Sequence, residues 1–132
     1  MRRINRIIIH CSATPENREV TVSQITRWHR DRGFRTIGYH WVVYADGTIH
    51  PGRPESEMGA HCYGQNLHSI GICYVGGLDA KTLKPKDTRT VAQRMALRKL
   101  VKELQEKYPG ATVHGHKEFA AKACPCFEIT DL

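Results

Sequence analysis

The sequence predicts a single α/β domain in which a central mixed β-sheet is flanked by helices. The chain has 132 residues, a length at which one core hides roughly two-thirds of the unfolded surface. Segments with the period of a strand alternate with segments with the period of a helix. One Asp-Gly pair between two strand-like segments predicts a hairpin, which makes the sheet mixed rather than all parallel. Because the chain contains no repeat, linker or low-complexity tract, the domain is predicted to span residues 1–132.

The first two predicted elements are a strand and a helix. Ile7 to Ile9 form a short apolar run, which predicts a buried strand that ends at His10. Thr21 with Gln24 three positions later is a capping box, in which each side chain bonds the other residue's backbone N–H. Val22, Ile25 and Trp28 or His29 then recur at helical spacing, and the helix is predicted to end at Gly33.

An antiparallel pair of strands is predicted next. Residues 39–44 are rich in aromatic and β-branched side chains, and Asp46-Gly47 is a strong turn signal before Thr48 and Ile49. Residues 51–68 are rich in Gly, Pro and polar residues without a clear period. This segment is predicted to be a loop or a short helix that lines a groove.

The last part of the chain supplies two strands and a long helix. Residues 69–75 predict a buried strand that Gly76-Gly77 stops, and residues 112–114 predict a short final strand. Between them, Thr90 and Gln93 form a second capping box at the start of a helix. The predicted apolar face of that helix comprises Val91, Met95, Leu97 or Leu100, Val101, Leu104 and Tyr108.

The chain is basic, and the excess charge is uneven. The net charge is +7, and residues 1–35 contain eight arginines against three acidic residues. Such a surface favours a polyanionic partner, either an anionic cell-wall polymer or a nucleic acid, although a solvated basic face without a specific target is the simpler alternative. No nucleic-acid-binding motif accompanies the arginines, which disfavours a nucleic-acid protein.

The cysteines and the amino-terminal segment indicate where the chain is made. The five cysteines are an odd number at irregular spacings, so a reducing compartment is predicted, with Cys11 and Cys73 buried as small apolar side chains. The apolar run after Arg6 is too short for a signal peptide, and no stretch approaches the roughly 20 apolar residues of a membrane span. We therefore expect a protein made in the cytoplasm without a signal peptide. We also expect it to be a monomer.

Histidine and cysteine residues near the two ends of the chain indicate a metal site. His10 stands where a strand gives way to a loop, and His116 and Cys124 lie near the other end. Two neutral imidazoles and a thiolate are a plausible ligand set for Zn²⁺, with the fourth tetrahedral position left open as in catalytic sites. His114 and Cys126 compete for these roles, because alternation along a strand would put His114 on the face of His116, and one residue separates the two cysteines.

A series of short motifs in a fixed order carries a family resemblance over nearly the whole sequence. The chain resembles the type 2 N-acetylmuramoyl-L-alanine amidases, and within them the short phage-lysozyme amidases, with peptidoglycan-recognition proteins as more distant relatives. The matching runs are Ile8-Ile9-His10-Cys11-Ser12-Ala13-Thr14, Gly38-Tyr39-His40-Trp41, Asp46-Gly47-Thr48, Gly52-Arg53, Ser69-Ile70-Gly71-Ile72-Cys73, Val75-Gly76-Gly77 and Lys122-Ala123-Cys124-Pro125.

The resemblance implies a zinc site in a surface groove of a mixed sheet, and it selects among the competing ligands. By the spacing to Lys122-Ala-Cys124 it selects His116 rather than His114, and it assigns the cysteine before the proline, Cys124. Tyr39 and Lys122 match the two catalytic positions of the phage-type enzymes. A phenol near the metal would exchange a proton or a hydrogen bond with the attacking water, and an ammonium would neutralise the oxyanion.

Further residues are weaker candidates. His61 and Asn66 lie in the loop that faces the substrate groove in relatives, and Arg53 would either pair with a stem-peptide carboxylate or brace that loop. Glu118 is a candidate base or hydrogen-bond partner of a ligand. Ala121 departs from the phage pattern, where a proline often precedes the lysine, and His68 replaces a small polar residue.

The predicted activity is that of a zinc hydrolase that cuts the amide between N-acetylmuramic acid and L-alanine of peptidoglycan. One alternative is a protein that binds peptidoglycan without cutting it, which the retained Cys124 disfavours. Another is a regulator, because some phage amidases of this kind bind the phage RNA polymerase. A cysteine hydrolase built on His10 and Cys11 is disfavoured, because neighbours on a strand point to opposite faces.

Overall fold

The computed structural model describes residues 2–132, which form a five-stranded mixed sheet and two long helices. The sheet has the order β4-β3-β5-β1-β7, with β3, β5, β1 and β7 parallel to one another and β4 antiparallel to β3. A short parallel pair, β2 with β6, stands apart from it. The strands are β1 (Arg6–Cys11), β2 (Thr14–Pro15), β3 (Trp41–Val43), β4 (Ile49–Pro51), β5 (Ser69–Tyr74), β6 (Gly77–Leu78) and β7 (Thr112–Gly115); the helices are α1 (Val22–Asp31) and α2 (Val91–Lys107), with 3-10 turns at Asn66–His68, His116–Glu118 and Ile129–Asp131.

Both predicted capping boxes are confirmed. Thr21 accepts a hydrogen bond from the backbone N–H of Gln24, and the Gln24 side chain accepts one from the backbone of Thr21. Thr90 and Gln93 do the same at the start of α2. Each box satisfies two of the N–H groups that the first turn of a helix leaves without partners, which fixes where the helix begins.

The predicted hairpin is confirmed, although its first strand is shorter than residues 39–44. Gly47 has φ +85° and donates to the carbonyl of Tyr44 over 2.8 Å. A Cβ at this position would lie 2.9 Å from the Ala92 side chain, so glycine supplies both the left-handed turn and the close approach of α2.

The residues of the central strands alternate between two faces of the sheet. On β1, Ile7, Ile9 and Cys11 join the apolar core that α2 covers, together with Ile72 of β5. Leu97, Leu100, Val101 and Leu104 are the buried apolar residues of α2. The opposite face carries Ile8 and His10 of β1, so the strand places its histidine on the side away from α2.

The prediction for α2 was wrong at its amino-terminal end. Val91 and Met95 are 74% and 66% exposed, while Gln93 is completely buried. The Gln93 amide donates to the carbonyls of Val43 and Val75, where the sheet ends. A polar residue therefore occupies the core-facing position, because it donates to the Val75 carbonyl and adds a second donor to the Val43 carbonyl, which already accepts from the Val75 N–H.

The pair β2 and β6 was not predicted. The two glycines 76 and 77 were expected only to stop the preceding strand, yet Gly77 begins β6 and pairs with Thr14. Both glycines have positive φ, which turns the chain sharply between the end of β5 and β6. Within residues 2–132, no helix is both long enough and apolar enough to cross a membrane.

Candidate metal centre

His10 occupies the carboxyl end of β1 and is 1% exposed. It pairs with Cys73 on the neighbouring strand β5, and the carboxyl ends of these parallel strands open at the same edge of the sheet. Its neighbour Cys11 faces the apolar core instead. This placement agrees with the expectation that a His10-Cys11 pair would not form a catalytic dyad.

The structure brings together His10, His116 and Cys124. One ligand atom from each lies within 4.8 Å of the other two, and the rings of His10 and His116 are 4.5 Å apart between centroids. His116 begins the 3-10 turn that follows β7, and Cys124 lies in the loop after it. The Cys11 backbone N–H donates to the sulfur of Cys124 over 3.2 Å, which ties that loop to the end of β1.

The histidines of the site are held in the neutral form that binds metals. Burial lowers the pKa of His10 well below its usual value, and the nearby His61, His116 and Lys122 lower it further. Burial also lowers the pKa of His116, with Lys122 as the second cause. At neutral pH both rings therefore carry a free lone pair on one nitrogen.

The competing residue His114 lies outside this cluster. Its Nδ1 is 3.1 Å from Glu118 and its Nε2 is 2.6 Å from the Thr112 hydroxyl. The alternation that would align His114 with His116 stops because β7 ends at Gly115, after which the chain turns. Glu118 accepts from the Gly115 N–H over 2.8 Å, so it closes the turn and pairs with His114 rather than with a member of the triad.

His61 lies against the triad. Its Nδ1 is 2.8 Å from Nε2 of His10, and its Nε2 is 3.1 Å from the hydroxyl of Ser69. Burial lowers its pKa to about 3. A Cβ at Gly59 or Gly71 would meet the His61 ring at 2.8 Å and 2.6 Å respectively, so both glycines make room for it. His61 is 9% exposed, with both ring nitrogens engaged by protein atoms.

Tyr39 and Lys122 both lie near the triad. The Tyr39 ring is 5.1 Å from that of His10 between centroids, and burial raises its pKa well above the usual range. Because of this raised pKa, Tyr39 keeps its phenolic proton at neutral pH. Lys122 is exposed and lines the groove in which His116 lies.

His29 was expected only as a helix residue, and it supports Tyr39. Its Nδ1 accepts from the Gly38 backbone N–H over 2.8 Å, and its ring lies 5.3 Å from that of Tyr39. Burial lowers its pKa to about 4. The sequence could have indicated this role, because His29 lies on the buried face of α1. Trp28 fits the helical period equally well, so the sequence alone did not show which of the two residues faces inward.

The two other groove candidates hold the loop in place. Asn66 accepts at its side-chain oxygen from the N–H groups of His61 and Cys62, both over 2.9 Å. Arg53 donates to the carbonyls of Ile37 and Met58. Arg53 thus makes the bracing contacts that were its alternative role, and only Asn66 of the two also lines the groove.

An open groove of about 550 Å³ runs beside the triad. Its lining contains basic, aromatic and histidine side chains but no carboxylate: Arg32, Phe34, Ala60, His61, Cys62, Tyr63, Asn66, His116, Phe119, Ala120 and Lys122. A second cavity of about 480 Å³, between the 15–20 loop and the start of α2, contains no member of the triad. The groove next to His116 is therefore where a substrate would meet a bound metal.

Comparison with known proteins identifies the family. The family model described as N-acetylmuramoyl-L-alanine amidase matches residues 1–127. The endolysin of Escherichia phage T7 is 44% identical over 123 residues, which are 93% of this chain and 81% of the endolysin. The endolysin of Klebsiella phage KP32 is 42% identical over 125 residues, 95% of this chain and 82% of that endolysin.

Solved structures share the fold as well as part of the sequence. The N-acetylmuramoyl-L-alanine amidase LysC from Clostridium intestinale superposes with a TM-score of 0.81 at 31% identity, covering 93% of this chain and 76% of that chain. The resemblance predicted from the motifs is confirmed: the chain belongs to the N-acetylmuramoyl-L-alanine amidase family and is an enzyme of that class.

Proposed function

We propose that this amidase is a zinc-dependent peptidoglycan hydrolase that cleaves the amide between the lactyl group of N-acetylmuramic acid and L-alanine. The observation that carries the proposal is the convergence of His10, His116 and Cys124 beside an open groove. Endolysins among the relatives and amidases among the structural neighbours support peptidoglycan as the substrate.

The donor set fits zinc. Two neutral imidazoles and one thiol within 4.8 Å are the nitrogen and sulfur ligands that Zn²⁺ prefers, and three protein ligands leave one position open. When bound, the ion would supply Lewis acidity toward the scissile carbonyl and would acidify a coordinated water.

The chain's own residues would divide the remaining work. Tyr39 keeps its proton, so its hydroxyl would act as a hydrogen-bond donor to the oxygen atoms that gain charge during the reaction. The Lys122 ammonium, which lines the groove, would neutralise the tetrahedral oxyanion. The leaving amine would take up the proton that the attacking water gives up, with the Tyr39 hydroxyl as the relay. Neither residue belongs to the ligand set.

We assign His61 a positioning role in place of the substrate contact that the sequence favoured. A neutral His61 that donates from Nε2 to Ser69 presents a lone pair at Nδ1, toward which the Nε2–H of His10 would point. This tautomer leaves Nδ1 of His10 free for a metal. Because both nitrogens of His61 have partners, a substrate would have to break one of these bonds to use them.

The other partners remain predictions. Six arginines of the first 35 residues, at positions 3, 18, 27, 30, 32 and 35, are exposed, which is consistent with docking on an anionic wall polymer. Arg2 instead donates to the carbonyls of Asn66, Leu67 and Ser69. Binding to an RNA polymerase likewise stays a prediction from the family resemblance.

The chemistry of the cleaved bond tests the proposal directly. Purified sacculi digested with the protein should gain amino-terminal L-alanine in step with solubilisation, without new reducing sugar ends. A chelator should stop the reaction, and added Zn²⁺ should restore it. New reducing ends would indicate a glycosidase, new amino termini on D-amino acids would indicate an endopeptidase, and sedimentation with sacculi without products would indicate a binding protein.

A further inference from the structure

Two thiols outside the ligand set lie against each other at the end of β1. The sulfur of Cys11, the last residue of that strand, is 3.8 Å from the sulfur of Cys126. Both residues are free thiols in the structure. We propose that Cys11 and Cys126 are a modification site, at which a low-molecular-weight disulfide oxidises the pair to an intramolecular disulfide.

The local geometry favours this bond. A disulfide is about 2.05 Å long, so the two sulfurs must approach by about 1.8 Å, which rotation of the two short side chains shares between them. Gly77 provides the space, because a Cβ there would lie 2.6 Å from the sulfur of Cys11. The Cys126 sulfur is 3.4 Å from the Gly77 carbonyl, so the same glycine borders both thiols.

The remaining cysteines have other surroundings. Cys73 is completely buried and its S–H points to the carbonyl of Tyr74. Cys62 is 3% exposed and lies in the wall of the groove. Cys124 receives the backbone N–H of Cys11, which holds its sulfur at the triad. Cys126 is the sulfur partner of Cys11 at 3.8 Å. The Cys124 thiol is also close enough to raise the pKa of Cys11, but in the zinc-loaded protein it would be held by the metal and so kept out of the bond.

The reaction balances with oxidised glutathione as the oxidant. The sulfur of Cys126, which is the less buried residue of the two, gives its proton to solvent and attacks one sulfur of the oxidant, which releases one glutathione thiolate. The sulfur of Cys11 then gives up its proton and displaces the second glutathione, which forms the Cys11–Cys126 bond. Two protein thiols are oxidised, one disulfide is reduced, and the two protons end on the two glutathione thiols.

The Cys11–Cys126 bond would cross-link the two segments that carry the metal ligands His10 and Cys124. It would join the residue after His10 to the loop of Cys124, across 115 positions of sequence. Closing so long a loop restricts the unfolded chain strongly, which stabilises the folded state. A protein made among reductants would gain the bond only after it reaches an oxidising surface.

The experiment uses the zinc-loaded wild-type protein and oxidised glutathione. After quenching with iodoacetamide, non-reducing peptide mapping should show a loss of two hydrogen atoms and one cross-linked peptide that contains Cys11 and Cys126. The zinc content should stay the same, and the thermal midpoint should rise by on the order of 5 °C or more. Cys126→Ser, at a partly exposed position, should show neither the cross-link nor the rise, whereas the matched variant Cys62→Ser should show both.

Three results would overturn the proposal. Five alkylatable cysteines after oxidation would show that the pair does not react. A stable glutathione adduct at Cys126 would show that Cys11 cannot complete the bond. A cross-link that includes Cys124, with loss of zinc, would show that oxidation destroys the site. None of these outcomes depends on which bond of peptidoglycan the enzyme cleaves.

Discussion

The two faces of the central sheet require different kinds of side chain. Toward α2, β1 and β5 present aliphatic side chains such as Ile7, Ile9 and Ile72, which pack as an ordinary core. On the other face β5 presents Ser69 and Gly71, whose small size admits histidine rings. The first face needs volume and apolarity, whereas the second needs particular nitrogen atoms at particular places.

The histidines on the second face lie beside a smaller aliphatic cluster, formed by Val20, Ile25, Ile37, Val42 and Val75. The Gly71 N–H donates to Nδ1 of His40 over 3.0 Å, and Nε2 of His40 is 2.8 Å from the Glu57 carbonyl, which fixes its tautomer. His61 and His10 continue the layer toward the triad. Burial lowers the pKa of all three. A buried layer of neutral imidazoles is stable only when each polar nitrogen has a partner.

The largest effect expected from breaking the second face is loss of the metal. His116→Ala should remove one of three ligands and leave the purified protein without stoichiometric zinc, as measured by elemental analysis. In chelator, its thermal midpoint should match that of the wild type, because the core face is untouched. The matched variant His114→Ala should keep its zinc; if it loses the metal instead, the ligand assignment is wrong.

The next effect separates turnover from metal binding. Tyr39→Phe and Lys122→Ala should each keep one zinc per chain and lower the rate of muropeptide cleavage on the order of 100-fold or more, since each removes a group that stabilises charge during the reaction. Lys117→Ala is the control for a nearby lysine, because Lys117 pairs with Glu128. Cleavage at the wild-type rate by both variants would remove Tyr39 and Lys122 from the mechanism.

A smaller effect is expected at His61, which contacts the triad without belonging to it. His61→Ala should weaken zinc binding by roughly 10- to 100-fold in a competition titration with a metal indicator, as for other partners of metal ligands. His61→Asn, whose side-chain oxygen can accept from His10, should recover part of the affinity. His68→Ala should leave the zinc affinity unchanged, since the His68 ring bonds the Arg3 carbonyl rather than a member of the triad. Unaltered zinc affinity in His61→Ala would show that the ring merely fills space.

The smallest predicted effect is on stability as a function of pH. His29 has a folded pKa of about 4 against 6.5 unfolded, so between these values the unfolded state binds the extra proton. Stability contributed by the neutral ring is therefore present above pH 6.5 and lost as the pH falls toward 4, by on the order of 1 kcal/mol once solvent screening of the ring is allowed for. Urea unfolding of the metal-free protein at several pH values should show a shallower decline for His29→Asn, and parallel curves would exclude this role.

The core face was largely predictable, and the second face only in part. The apolar run at residues 7–9 and the two capping boxes depend on local chemistry, so their patterns were legible in the sequence. The burial of Gln93 could not be predicted from local sequence, because its side chain bonds two backbone carbonyls that come together only in the folded sheet. Motif resemblance selected His116 over His114, which strand alternation alone could not do.

His61 illustrates which details of the site the sequence does not specify. Its loop was correctly placed at the groove, yet the direction of its ring depends on the absence of side chains at Gly59 and Gly71. Those glycines are informative only after the loop is seen to pack on β5. From the sequence, Arg53 is likewise a candidate to pair with a substrate carboxylate. Only the structure shows that its N–H groups donate to carbonyls of its own chain.

The hydrogen bond between the backbone of Cys11 and the sulfur of Cys124 joins residues 113 positions apart. During synthesis, β1 leaves the ribosome long before the segment that supplies the other two members of the triad. A chain that lacks Cys124 cannot complete the triad, so the order of translation delays the capacity to hold a metal until that residue has been synthesised.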